Sequence, residues 1–382
     1  MAVRILHIAD VHLDRPFVGV AAERRRQLRR RLLDTFARAL KVAVERRCDL
    51  VTVGGDLWEE ENVTRSTRRE VAALLARVGL PVAIVAGNHD PIVPGGNWQR
   101  TELPANVHLF GAVELECWRP LAGSAAPTIW GVSWGGGQLS ADFLARPLEQ
   151  RGAGPALLLL HGTAGGVAAG DVGDRHCPFE PGAVRRAGFE LCLCGHIHKP
   201  QVVESGGRAA VVYPGSPFPL AFDEAHDHGA LLVTIDGPAV EIERVPLGAP
   251  PCMRVAVDCA GAESAVALRE RVEAALAEAG IKADGVEGGF VTVELVGAVA
   301  PTLGRDLDEA LAPLAARFDA LRVVDRTRRA YDLDAIARLP TARGRFVRAL
   351  RERIAHSAGR ERKVAELALE AGLRALDGDE PL

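Results

Sequence analysis

Lysine is almost missing from this chain. Its 46 basic residues include only Lys41, Lys199, Lys282 and Lys363, so arginine, the better fork for phosphate, carries nearly all the positive charge. Any excess of positive charge is missing too: the formal net charge is −4, which does not advertise a polyanion partner. It does not exclude one either, because a local field can oppose the global sign. No unbroken apolar run approaches the roughly 18 residues that a membrane helix needs. The run Ala156 to Leu160 has a strand's length. The seven cysteines are odd in number and lack framework spacing, which fits reduced thiols in a cytoplasmic protein better than disulfides. The opening Met1 to His7 runs straight into a strand pattern, so no secretory leader is expected. Membrane insertion and secretion are thereby disfavoured.

What is present is a soluble globular mix, 48% hydrophobic and 25% charged, in a chain too long for one compact core. Val3 to Ala9, Leu50 to Val53 and Val82 to Ala86 read as strands. Between them, Leu28, Leu32, Phe36, Leu40 and Val44 recur at helical spacing, and a second helix starts behind Thr64 or Ser66. Further strands are expected over Val107 to Phe110, Val113 to Trp118, Thr128 to Val132, Ala156 to Leu160, Glu190 to Cys194 and four segments from Val202 to Val245. Strand–helix units followed by successive strands predict two packed mixed sheets with helices outside.

The proline-rich stretch from Pro246 to Pro251 reads as a linker. Beyond it a β-α-β-α-β pattern, with helices over Ser264 to Ala279 and Arg305 to Ala316, predicts a smaller α/β unit. Two amphipathic helices follow Pro340, with stripes at Phe346, Leu350 and Ile354 and at Val364, Leu367 and Ala371. The expected domains are therefore 1–246, 252–335 and a helical segment, 341–378.

The chemistry-bearing residues sit where strands stop. Asp10 and His12 follow the first strand, Asp56 the second, and Asn88, His89 and Asp90 the third; His161 and the His196/His198 pair end two later ones. Carboxyl ends of strands are where α/β sheets bind ligands. Spacing of two lets both members of Asp10/His12, and of His196/His198, share one side of an extended chain. Two carboxylates, a carboxamide and four imidazoles, without thiolate, suit Mn²⁺, Fe²⁺ or Zn²⁺ better than Mg²⁺. Asp56, held behind two glycines, is the natural bridge between two ions. Two divalent cations against two aspartates leave the site positive, a match for a phosphodiester, and such pairs clamp the attacking and leaving oxygens of in-line displacement.

These segments, Asp10-Val11-His12, Gly54-Gly55-Asp56, Gly87-Asn88-His89-Asp90, His161-Gly162 and Gly195-His196-Ile197-His198, resemble the calcineurin-like metallophosphoesterase superfamily over roughly the first 235 residues. The opening Ile8 to Asp14, the tract Gly87 to Gly111 and the C-terminal extension look like its SbcD/YhaO-type DNA repair exonucleases.

The resemblance implies a four-layer αββα core, a capping domain, and C-terminal helices that dock an SbcC-type ABC ATPase. It also implies DNA as substrate and a possible homodimer. By motif position, one metal would be held by Asp10, His12, Asp56 and His198, and the other by Asp56, Asn88, His161 and His196, with Mn²⁺ the expected ion. His89 would protonate or stabilise the leaving oxygen, Asp90 would orient it, and inversion at phosphorus is expected. Where several relatives carry a second DNA-contacting histidine, this chain has Glu59, followed by Glu60 and Glu61. Three acids beside a phosphate path repel a duplex unless they face away.

Trp98 and Arg100 read either as residues that stack on or clamp a nucleotide or, for the lone tryptophan, as loop packing, with the two about level. Arg24 to Arg26 and Arg29 to Arg31 read either as a DNA-backbone contact or as a solvated helix face, with the second slightly favoured. Cys192 and Cys194 read as core. The alternatives to a DNA nuclease are a phosphodiesterase or phosphatase for a small nucleotide, and a non-catalytic binding adaptor.

Overall fold

The computed structural model describes residues 2–112, 114–123, 126–148, 152–167, 176–237, 239–281, 288–299 and 307–378. Val113 and Arg305, which begin an expected strand and an expected helix, lie outside the described residues. The first strands are β1 (Val3–Ile8), β2 (Leu50–Gly54), β3 (Val82–Val85) and β4 (Val107–Leu109), interleaved with α1 (Ala22–Glu45) and α2 (Arg65–Val78). They are followed by β5 (Glu116–Trp118), β6 (Thr128–Gly131), β7 (Ala156–His161), the short β8 (Thr163–Ala164) and β9 (Pro178–Phe179), and α3 (Pro181–Arg186). Next come β10 (Leu191–Gly195), β11 (Gln201–Ser205), β12 (Arg208–Tyr213), β13 (Gly229–Asp236) and β14 (Ala239–Pro246).

Two six-stranded mixed sheets result, in the orders β14-β13-β1-β2-β3-β4 and β11-β12-β10-β7-β6-β5. β1 to β4 are parallel neighbours, as are β6, β7, β10 and β12, so the site-bearing strands of each sheet end at the same edge.

The layers follow from alternation along each strand. Leu157 and Leu159 of β7, with Leu191 and Leu193 of β10, share a core with Ile5, Leu50 and Val233 of the other sheet. Their sequence neighbours Leu158, Leu160, Cys192 and Cys194 face the opposite way, into the cluster that contains Val184 of α3. On the outer face of the first sheet, Leu28, Leu32, Phe36 and Leu40 of α1 are buried with Val51 and Val53. The order is therefore helices, sheet, sheet, helix. Cys192 and Cys194 are core residues, and all seven cysteines are unpaired. α2 begins at Thr64, whose hydroxyl accepts the Thr67 N–H at 3.1 Å, and stops at Gly79, at φ +67°.

The chain forms two compact units that are not contiguous in sequence. One comprises 1–254, 284–292 and 314–322, and the other 255–283, 293–313 and 323–382. The latter part of the chain contains β15 (Cys252–Asp258), α4 (Ala265–Glu278), β16 (Phe290–Val296), β17 (Ala298–Val299), α5 (Leu307–Ala315), β18 (Ala320–Asp325) and β19 (Arg328–Arg329). Three of its strands pair in the order β15-β16-β18. α6 (Leu333–Arg338) precedes the C-terminal α7 (Ala342–His356) and α8 (Gly359–Leu376), which bury Val347, Leu369 and Leu373 together. Among the described residues, no helix is long and apolar enough to cross a membrane.

Candidate metal centre

The loops beyond β1 and β2 do not splay apart when the strands end. The Asp10 N–H donates to the Gly55 carbonyl, His12 N–H to the Asp56 carbonyl and Leu13 N–H to the Leu57 carbonyl, at 3.0–3.1 Å. This continued pairing carries Asp10, His12 and Asp56 forward as a set. It has a torsional cost: Asp10, His12, Asp56 and His196 all sit at positive φ, a region non-glycine residues avoid. From the second sheet, the His196 N–H donates to both carboxylate oxygens of Asp10, at 3.0 and 3.1 Å, joining the ends of β10 and β1.

Three further hydrogen bonds set ring orientation. A carboxylate or carbonyl only accepts, so the ring nitrogen facing it carries the proton. By that rule Nδ1–H of His12 donates to Glu59 at 3.0 Å, that of His198 to Glu224 at 2.6 Å, and that of His161 to the Gly54 carbonyl at 2.9 Å. On His12 and His198 this leaves Nε2 as a lone pair pointing inward, the arrangement metal-binding histidines use. Two such lone pairs, on His12 and His198, lie 3.2 Å apart. His161 Nε2 lies 2.9 Å from Asn88 Oδ1 and 3.4 Å from Asp56 Oδ2, and His12 Nε2 is 3.5 Å from the same Asp56 oxygen. His196 Nε2 is buried with no partner. Electron pairs facing one another in a buried pocket repel unless a cation sits among them, so this donor set fits metal ions.

The titration behaviour reflects the same crowding. Burial works against a charge on His161, but the Asp56 and Asp10 carboxylates outweigh it and push the ring up to about 10. Burial also opposes the charge on Asp56, yet His161 and His12 hold its carboxyl well below the usual range. Burial pushes Asp10 and Asp90 up, and pushes His196 down to about 3. A fold that gathers this many mutually dependent charges in one buried spot has the signature of a functional site.

Comparison with known proteins agrees with the geometry. The calcineurin-like phosphoesterase family profile matches residues 3–200. The chain belongs to that family. It is similar to the uncharacterized metallophosphoesterase YhaO of Bacillus subtilis, at 31% identity over 70% of this chain and 66% of that protein. It is also similar to the DNA double-strand break repair protein Mre11 of Haloferax volcanii, at 27% identity over 70% of this chain and 58% of that protein. The chain thus spans about three fifths to two thirds of the length of these relatives. Among solved structures, a dimetal phosphatase from Danio rerio is similar at 15% identity and TM-score 0.44, covering 64% of this chain and 96% of that one.

As a calcineurin-like phosphoesterase, the chain brings the expected residues to one edge. Asp10, His12 and His198 form one potential cation-binding group, Asp10, Asp56 and His161 another, and His12, Asp56 and His89 a third. Asn88 and His196 border them through their contacts to His161, Asn88 by hydrogen bond and His196 by ring edge at 5.0 Å between centroids. His89 is 43% exposed, the open residue of the cluster, and its N–H donates to Asp56 Oδ1 at 2.9 Å.

Two expectations require correction. Asp90 does not orient the His89 ring: its carboxylate accepts the backbone N–H groups of Gly87, Asp56 and Leu57, bracing the two loops. The ring is held instead by Glu59, which accepts His89 Nδ1–H at 2.9 Å. Trp98 is 3% exposed, packs against Trp58 with the rings tilted by 35° at 3.9 Å between centroids, and donates its indole N–H to the Asp90 carbonyl. Its faces serve the core rather than a nucleotide. Arg100 is exposed.

Glu59 and Glu60 both turn inward, the latter accepting the Asn97 N–H at 2.8 Å and the Trp58 indole N–H at 3.4 Å. Only Glu61 of the three acids is exposed. Sequence reasoning missed Glu59 and Glu224 as partners of the histidines. The arginine run is largely committed: Arg26 pairs with Glu23, Arg30 with Asp34 and Glu70, and Arg31 with Asp319.

Proposed function

We propose that this chain is a two-metal phosphodiesterase that cleaves DNA. The observation that carries this reading is the set of inward-facing Nε2 atoms around Asp56, contributed by both sheets. Asp10, His12, Asp56 and His198 would hold one divalent ion, and Asp56, Asn88, His161 and His196 the other. The nitrogen-rich set favours Mn²⁺, with Fe²⁺ and Zn²⁺ as the competing ions. The ions would supply an activated water and neutralise charge on the phosphate.

The chain's own groups do the rest. Asp90 braces the β2 and β3 loops so that Asp56 and Asn88 keep a fixed separation. His89, exposed at the rim, is positioned to give a proton to the leaving oxygen. The hydrogen bond to Glu59 raises its pKa, which favours the doubly protonated ring that this role needs. The inward turn of Glu59 and Glu60 points two of the three carboxylates at protein donors rather than at a nucleic acid backbone. Similarity to the DNA double-strand break repair protein Mre11 supports DNA as the substrate and repair as the setting.

The 252–335 segment is assigned as a cap and α7–α8 as a dock for an SbcC-type ATPase, with Val364, Leu367 and Leu376 exposed there. Homodimerisation and a cytoplasmic location complete the assignment, the latter supported by seven unpaired thiols.

A small-nucleotide phosphodiesterase is the second reading, favoured by the paired state of Arg26, Arg30 and Arg31. The test is turnover of the Mn²⁺-loaded chain on single-stranded and duplex DNA, a cyclic nucleotide and an aryl phosphodiester. DNA cleavage abolished by chelation, and reduced about 10²- to 10⁴-fold by His89→Ala at unchanged metal stoichiometry, is expected. Cleavage of the small esters alone would move the assignment to the second reading.

A further inference from the structure

We infer that Glu59 is a positioning residue that fixes the His12 and His89 rings to one another, tying a metal-side imidazole to the group that serves the leaving oxygen. This rests on the two-metal reading above. One carboxylate oxygen of Glu59 accepts His12 Nδ1–H at 3.0 Å and the other accepts His89 Nδ1–H at 2.9 Å. Arg15 donates to the first oxygen at 3.3 Å. The two rings meet edge to face at 4.8 Å between centroids. Glu59 is only 12% exposed, while the His89 ring that it holds is 43% exposed at the rim.

The backbone at Glu59 is anchored to both loops. The Glu59 N–H donates to the Leu13 carbonyl at 3.1 Å and the Glu60 N–H to the His89 carbonyl at 2.9 Å. The residue is thus pinned on one side to the loop that carries His12 and on the other to the loop that carries His89.

The chemistry of the position is restrictive. Two N–H groups converge on it, so it must offer two acceptors and no donor. A carboxylate meets that demand. An amide of the same shape offers one oxygen and one NH₂, so it can keep one ring and must repel the other. An aspartate keeps both acceptors but falls one methylene short. An imidazole can accept from one ring at most. Glutamate here is therefore built into the site as a clamp, at a position where several relatives carry a histidine directed at DNA. The same clamp leaves Nε2 of both rings free of the carboxylate, His12 toward the metal side and His89 toward the rim.

If His89 protonates the leaving oxygen as the phosphorus–oxygen bond to it breaks, loosening the clamp should matter most where that oxygen leaves badly. The experiment uses the full chain with Mn²⁺ and two substrates, bis(p-nitrophenyl) phosphate, whose phenolate leaves without help, and a thymidine dinucleotide, whose alkoxide does not. Glu59→Gln should lose about 100-fold in kcat on the dinucleotide, less than about tenfold on the aryl ester, and little in KM on either. Glu59→Asp should recover part of the loss, and Glu61→Gln, an equal change of charge at an exposed position, should behave as wild type.

A second measurement needs neither metal nor turnover. Nitrogen-15 spectra of the histidine rings should show Nδ1–H at both His12 and His89 in the metal-free wild type. At least one should be lost in Glu59→Gln, with the His198 signal retained as evidence of folding. An unchanged ratio of the two activities, or both Nδ1–H signals surviving in Glu59→Gln, overturns the inference. If the wild type hydrolyses neither substrate, it is the phosphodiesterase reading that falls, and the ring spectra still decide the placement of Glu59.

Discussion

Replacing Gly87 by alanine should disable the metal centre while leaving the fold in place. Gly87 is not at positive φ, so an L-residue fits its backbone, and the whole effect comes from one added carbon. Built on the existing backbone, that carbon collides with Asp56 Oδ1 and lies 2.7 Å from the Asp56 nitrogen and 2.9 Å from Cγ. Relief requires the Asp56 backbone as well as its carboxylate to retreat, the latter by about 1 Å, a displacement that can cost about 100-fold in rate when it moves a reacting constellation. Asp56 Oδ1 also accepts the His89 N–H at 2.9 Å, so the same retreat disturbs the rim histidine. The expected outcome is a turnover loss of about two orders of magnitude, about 2.7 kcal/mol of transition-state stabilisation, with overpacking adding about 1–3 kcal/mol of destabilisation. Manganese titration and turnover of Gly87→Ala would be compared with Gly137→Ala, where the added carbon meets nothing within 4 Å. Full metal stoichiometry together with wild-type turnover in Gly87→Ala would refute the bridging position given to Asp56.

Three further outcomes are expected. Glu224 accepts His198 Nδ1–H, the Ser216 hydroxyl and the Leu220 N–H, so Glu224→Ala should weaken manganese binding about 10- to 100-fold; unaltered affinity in a calorimetric titration would count against that support. Burial lowers His7 from 6.5 to about 4, with Thr52 and the Cys194 carbonyl as ring partners. Because the folded chain prefers the neutral ring, that contribution is complete above 6.5 and is lost as pH falls toward 4, about 3 kcal/mol in all. Urea unfolding across this window should be steeper in pH for wild type than for His7→Gln, and equal slopes would remove the assignment. Leu157, fully buried between the sheets, should cost about 2–5 kcal/mol as alanine, against about 0.5 kcal/mol or less for Val202→Ala at a 46% exposed position; similar melting points for the two would contradict the layer assignment.

The parts of this fold that the amino-acid order announces are those governed by periodicity. Leu157 to Leu160 alternate between two cores, as a strand buried on both faces must, and Leu28 to Leu40 return every turn to one side of α1. The candidate ligands were legible because each follows a strand, and parallel strands end together. What the order of residues does not disclose is direction within a loop. Three consecutive glutamates follow Trp58, and nothing in their spacing tells that Glu59 and Glu60 turn inward while Glu61 stays out. That choice is made by backbone bonds to Leu13 and His89, 46 and 29 residues away in sequence. Trp98 misleads for a similar reason: an isolated tryptophan beside a metal loop is the same string whether it faces a ligand or, as here, Trp58. The membership of 288–292 and 314–322 in the first unit is equally silent, since short stretches bear no mark of the unit they belong to.

The twisted torsions at Asp10, His12, Asp56 and His196 imply a tension between endurance and purpose. Glycine would relax each of them, so a screen for heat resistance alone would tend to erase the very residues that gather the cations. A long-lived variant of this chain should be sought in the leucines between its sheets, where robustness can rise without touching the rim.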